Sequence, residues 1–225
     1  MSKKRLTLIH TSAVMIPIFT ELCNEFLPNV EVLHFVDDSI LKDIIHDQRL
    51  SKPTARRVVG HIISAEQAGA DFIMVTCSSI GAAAELGREL VDVPVMRVDE
   101  PMVKLAVKSG SCVGVVATLP STLNPTAELI RAEAKKQAKE VQVTTTLCEG
   151  AFEAVISGDS ATHDKIVGAS IQELTEQVEV IVLAQASMAR VVDTLPDQRG
   201  EVPILSSPRL AVEHVAMLLQ PKERI

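Results

Sequence analysis

Cys77 closes the apolar run DFIMVTC and is followed by two hydroxyls, Ser78 and Ser79, and then by Gly81. A thiol at a strand end that leads into a helix start feels exposed backbone N–H groups, which stabilise thiolate. Such a residue is a nucleophile or base poised near neutral pH, although position alone fits a small buried apolar side chain better. His10 follows LTLI in the same way, where an imidazole could relay a proton to Cys77, bind a carboxylate, or serve as a hydrogen-bonded structural residue. Gln185 ends the run EVIVLAQ; its amide donates and accepts hydrogen bonds but exchanges no proton near neutral pH. Thr11, Ser12, Thr118, Ser121, Thr122 and Ser187 sit after other apolar runs and offer hydroxyls either to ligand oxygens or to helix caps.

These residues are related by an internal repeat. LTLIHTS…PIFTEL is echoed by VGVVATL…NPTAEL, so that Thr11 matches Thr118 and Glu21 matches Glu128, each pair 107 positions apart. DFIMVTCSSIG is echoed by EVIVLAQASMA, and VPVMRVDEP by VPILSSP, with Pro101 and Pro208 again 107 apart. At the matched strand ends the first copy carries Cys77 and the second Gln185. Two similar half-domains follow, with the symmetry broken at the residue best suited to chemistry.

The elements that must position these groups alternate in type. LTLIH, EVLHFV, DFIMVTC, VPVMRV, CVGVVAT, VQVTTT, VEVIVLA and VPIL are short apolar runs, as expected of strands covered on both faces. Helical patterns lie between them: one after Ser51 and Pro53, one starting at Asn124-Pro125, one capped by Asp159 or Ser160, and a C-terminal amphipathic RLAVEHVAMLLQ. The alternation predicts an α/β fold of two pseudo-symmetric lobes, each a four-stranded parallel sheet flanked by helices, with a cleft between them. The first lobe is expected to take residues 1–100 plus about 207–225, the second residues 101–206, joined by a short connection around Pro101 to Ser111. Ligands of such sheets bind at the carboxyl ends of the strands, where His10, Cys77, Thr118 and Gln185 fall.

Composition removes several classes of function. A net charge of −7 with neither Trp nor Tyr argues against nucleic acid. No run is long enough to span a bilayer, so no membrane partner is expected, and MSKKRLTLIH lacks an export cleavage pattern. Cys23, Cys77, Cys112 and Cys148 are far apart, without a C-x-x-C pair, which predicts free thiols in a cytoplasmic protein rather than a zinc site or disulfide framework. No G-x-G-x-x-G or P-loop follows a strand, so no nucleotide cofactor is expected. His163-Asp164 reads as a solvated helix start, and Asp99 and Glu100 as structural residues.

Taken in order, VTCSSIG, VPVMRVDEP, VGVVATLPST, GAFEAVISGD and VIVLAQASM resemble the aspartate/glutamate/hydantoin racemase superfamily over nearly the whole chain. The resemblance implies two α/β lobes, no cofactor and no metal, and proton transfer at a carbon next to a carboxylate by two cysteines facing each other. Cys77 matches the first cysteine, whose motif holds the substrate carboxylate. The second motif, glycine-cysteine-threonine in the family, stands here as Ala184-Gln185-Ala186. His10 falls where glutamate racemases carry an acidic residue that assists the first cysteine.

The sequence therefore points to a cofactor-independent isomerase, racemase or lyase acting on a small carboxylate substrate with a single cysteine. A non-catalytic small-carboxylate-binding protein on the same fold is the alternative. A homo-oligomer is compatible with either.

Overall fold

The computed structural model describes residues 3–194 and 202–219. The chain divides into two compact units, one of residues up to Val98 together with those from Pro208 onward, the other Asp99–Ser207.

In the first unit, strands β1 (Arg5–His10), β2 (Glu31–Val36), β3 (Phe72–Val75) and β4 (Val95–Arg97) form a parallel sheet in the order β2-β1-β3-β4. Helices α1 (Met15–Phe26), α2 (Asp38–Asp47), α3 (Lys52–Gln67), α4 (Gly81–Arg88) and α10 (Ser207–Leu219) accompany it. Side chains alternate across the sheet with period two, and both faces are filled. Leu6, Leu8, Phe72 and Met74 pack with Phe19 and Leu22 of α1 and with Ala211, Val212 and Val215 of α10. Ile9, Ile73 and Val75 point the other way, against Ile44, Val58, Ile62 and Ala84. Two-sided burial is why these strands read as continuous apolar runs.

The second unit repeats the plan. Strands β5 (Cys112–Ala117), β6 (Gln142–Leu147), β7 (Val180–Leu183) and β8 (Ile204–Ser206) lie parallel in the order β6-β5-β7-β8, with helices α5 (Glu100–Ser109), α6 (Pro120–Lys136), α7 (Ala151–Ile156), α8 (Ser160–Thr175) and α9 (Ala189–Thr194). Val116, Ile181 and Leu183 pack with Val167, Ile171 and Leu174 of α8 and with Val191 of α9.

The expected caps form: Ser51 Oγ accepts the Thr54 N–H at 3.4 Å, and an Asp159 carboxylate oxygen accepts the Thr162 N–H at 3.0 Å. Two details differ from the sequence reading. Residues 101–109, expected as part of a short connection, belong to α5, with Pro101 among its first two residues. Helix α6 begins at Pro120 rather than at Asn124-Pro125 and carries Pro125 inside it; Pro120 takes the first-turn place where its missing N–H costs nothing, and Pro125 forfeits one bond to the preceding turn. Gln220, placed on the last helix by its apolar pattern, and the residues beyond it lie outside the described residues. Among the described residues no helix is long and apolar enough to cross a membrane.

Candidate functional site

Cys77 follows β3 in extended conformation (φ −126°, ψ 119°) and leads into a single 3-10 turn, Ser78–Ile80, that runs directly into α4. Its thiol is half-buried, whereas Ser78 and Ser79 beside it are buried. The other thiols differ in setting. Cys23 lies in the core on α1, where burial pushes its pKa up to about 11. Cys148, one residue past β6, is also raised by burial, which outweighs its hydrogen bond to Ser170 Oγ at 3.3 Å. Cys112 opens β5 and is half-buried.

His10 ends β1, fully buried, and both of its ring nitrogens are engaged. Nδ1 lies 2.8 Å from Thr76 Oγ1 and Nε2 lies 2.9 Å from His34 Nδ1 on the neighbouring strand. The two imidazoles stack, with centroids 5.2 Å apart and planes 18° off parallel. Thr76 donates its hydroxyl proton to the Ile9 carbonyl at 3.0 Å, so its oxygen receives the His10 Nδ1–H. His10 Nε2 then accepts from His34 Nδ1–H, and His34 Nε2 accepts from the Thr20 hydroxyl at 3.3 Å. This ordered chain holds both imidazoles neutral. Burial, with the neighbouring His34, lowers the His10 pKa to about 4, and burial lowers that of His34. Among the described residues the hydrogen bonds of His10 lead to Thr76, the residue before Cys77, and to His34, not to the thiol itself. Thr11 is buried at the same strand end, and Ser12 is half-buried.

At the end of β2, Asp37 is fastened to the β1 end by its N–H, which donates to the His10 carbonyl at 3.0 Å. Arg57 donates to its carboxylate at 2.8 Å, His61 Nε2 lies 3.0 Å away, and Ser39 adds a hydrogen bond at 2.5 Å. Burial opposes ionisation of Asp37, but these donors and the Arg57 charge outweigh it and hold the carboxyl well below its usual range.

In the second unit Gln185 occupies the place of Cys77. It follows β7 with nearly the same backbone (φ −125°, ψ 135°), and a 3-10 turn, Ala186–Met188, leads into α9. Its amide is consumed locally: Oε1 accepts the Thr118 N–H at 2.6 Å, and Nε2 donates to Thr118 Oγ1 at 2.8 Å. The backbone donor fixes which end of the amide is oxygen. Gln185 thus ties the end of β7 to the end of β5. Thr122 is buried, and Ser121 and Ser187 are half-buried.

His163 overturns its reading as a solvated helix start. It is fully buried, because the phase of α8 puts 163, 167, 171 and 174 on its core face. Its Nδ1 lies 2.7 Å from Asp164, which also takes a hydrogen bond from Arg190 at 2.9 Å, while its Nε2 has no hydrogen-bond partner among the described residues. Thr76, His34 and Asp37, which hold His10 at the strand ends, are absent from the sequence reading. Their signal was visible as polar residues inside or just after otherwise apolar strand runs.

The sequence pattern of the Asp/Glu/Hydantoin racemase family matches residues 8–215. No curated protein matches the chain closely enough to count as a relative. Among solved structures, the chain resembles a glutamate racemase from Bacillus anthracis (TM-score 0.72, 17% identity, 99% of this chain and 84% of that one). It likewise resembles an allantoin racemase from Klebsiella pneumoniae (TM-score 0.69, 17% identity, 96% and 87%). A cysteine-bearing mutant of arylmalonate decarboxylase in a sulfate-associated form is also similar (TM-score 0.57, 16% identity, 96% and 92%).

Proposed function

Because this chain belongs to the Asp/Glu/Hydantoin racemase family, we propose that it is a cofactor-independent enzyme acting at the carbon next to a carboxylate of a small organic or amino acid, with Cys77 as its acid/base or nucleophile. One observation carries this reading beyond the family. The two units place Cys77 and Gln185 at equivalent turns, and the Gln185 amide is spent on Thr118. A thiol in one copy and a tethered amide in the other suit chemistry with a single proton-exchanging group. Decarboxylation with protonation of one face is such a reaction, and so is thiol addition that frees a double bond to rotate. His10 belongs to this machinery through Thr76. The substrate-contacting groups in this reading are Ser78 and Ser79, supported by Thr11, Ser12, Ser121, Thr122 and Ser187, while Thr118 and Gln185, which hold each other, reach a ligand only by exchanging that mutual pairing for it. Free thiols fit a cytoplasmic location.

Iodoacetamide labelling near neutral pH tests the assignment. Cys77 is expected to react ahead of Cys23, Cys112 and Cys148, and a dicarboxylate or amino acid that is turned over should protect it. Cys77→Ser should abolish turnover in a panel of dicarboxylates, α-amino acids and arylmalonates followed by NMR. Equal, slow labelling of all four thiols would instead favour a carboxylate-binding protein without catalysis.

A further inference from the structure

Arg97 is the last residue of β4 and pairs in register with Val75, two residues before Cys77. It is only 6% exposed, a rare setting for a guanidinium. Its position explains why residue 81 is glycine. A Cβ built on Gly81 would lie 2.3 Å from Arg97 Cζ and 2.6 Å from both Nε and Nη1. The guanidinium therefore fills the space of a missing side chain, against the backbone where the Cys77 turn becomes α4. Gly81 is not needed for its backbone angles, since φ is −56°; it is needed for room.

We propose that Arg97 is a positioning residue for anionic ligands at the Cys77 turn: its buried charge, seated on Gly81, biases that turn toward substrates bearing a carboxylate. This rests on the reading of Cys77 as the reactive thiol. Arg97 touches no ligand in this role. It acts through the turn, because a cation held in a low-dielectric setting is screened far less than one on the surface, and it adds to the partial positive charge at the start of α4. The other ionisable groups at these strand ends are His10, which is neutral, Asp37 with Arg57 and His61 at the end of β2, Arg88 on α4, which donates to Glu85 and to the Val95 carbonyl, and Asp99, fully buried two residues after Arg97, followed by Glu100; Arg97, Asp99 and Glu100 each have an interaction partner. What a ligand feels is the sum of these charges, and substitution of Arg97 isolates its part.

Two alkylating reagents of nearly equal size separate charge from structure. Iodoacetate is an anion and iodoacetamide is neutral, so the ratio of their rates at Cys77 cancels the thiolate fraction and general accessibility. In Arg97→Gln the iodoacetate-to-iodoacetamide ratio should fall at least about threefold, as expected for loss of one poorly screened charge, while Arg97→Lys should recover most of it. Gly81→Ala keeps the charge but pushes the guanidinium off the turn, and should lower the ratio as well; it decides the matter if Arg97→Gln does not fold. A wild-type ratio in a folded Arg97→Gln or Gly81→Ala overturns the proposal. Failure of Cys77 to outpace the other thiols with either reagent would instead defeat the reactive-thiol reading on which it stands.

Discussion

Gln185 holds in the second unit the turn position that Cys77 holds in the first, and there it ties two strand ends together. Its amide is long enough to reach across to β5 and satisfy the N–H of Thr118, a residue only 7% exposed. Truncation to Ala leaves that donor without its partner, a loss worth about 1–3 kcal/mol where the group is kept from water. Gln185→Ala should therefore lower the urea midpoint by that equivalent. Gln185→Glu, whose carboxylate also accepts from the N–H, should stay nearer to wild type. A Gln185→Ala protein as stable as wild type would mean that water replaces the amide without cost.

At the scale of elements, the end of β1 is tied to the residue after β3, to β2 and, through it, to α1 by the chain Thr76–His10–His34–Thr20. The chain needs neutral imidazoles, and His10 is held neutral down to about pH 4 in the folded protein, whereas the unfolded chain takes up that proton near pH 6.5. The unfolded state thus binds more protons as pH falls. The stability contributed by the neutral ring is complete above about pH 6.5 and is lost progressively toward pH 4, roughly 3 kcal/mol for His10, with His34 acting in the same direction. Urea midpoints measured from pH 7 to pH 4.5 should fall accordingly, and His10→Gln should flatten that limb; a midpoint indifferent to pH would remove the buried pair from the account. The Ser51 cap is a simpler case. Ser51→Ala should cost about 1 kcal/mol by removing the acceptor for the Thr54 N–H.

The eight strands and the caps of α3 and α8 were legible because two-sided burial writes continuous apolar runs, and because Ser51 and Asp159 have little else to do at those positions. Helix α6 was harder, since Pro125 looks like a first-turn residue and only the earlier Pro120 holds that place. His163 was misread for a related reason: a polar residue beside an Asp suggests solvent until helix phase assigns it to the core stripe. Within the candidate site, Cys77 and Gln185 stood out through the repeat. The partners of His10 and the seat of Arg97 depend on strand order, β2-β1-β3-β4, which sequence spacing does not encode.

Over the whole molecule the two units share strand order, strand-end turns and a 107-residue repeat, as from Thr11 to Thr118. Duplication repeats the strand-end turn in each unit, and racemisation, which takes a proton from one face of a carbon and returns it on the other, is most simply served by two proton-exchanging groups. Here one position holds a half-buried thiol and the other an amide that neither gives nor takes a proton near neutral pH. Turnover in deuterium oxide should therefore place label on one face of the reacting carbon, giving a single enantiomer where that carbon becomes stereogenic. Cys77→Ser should stop exchange, and Gln185→Ala should leave the facial preference unchanged. Equal exchange on both faces, with racemisation proceeding alike in each direction, would require a second proton-exchanging group outside the Cys77 turn and would remove Gln185 from its place as the point where the symmetry is broken.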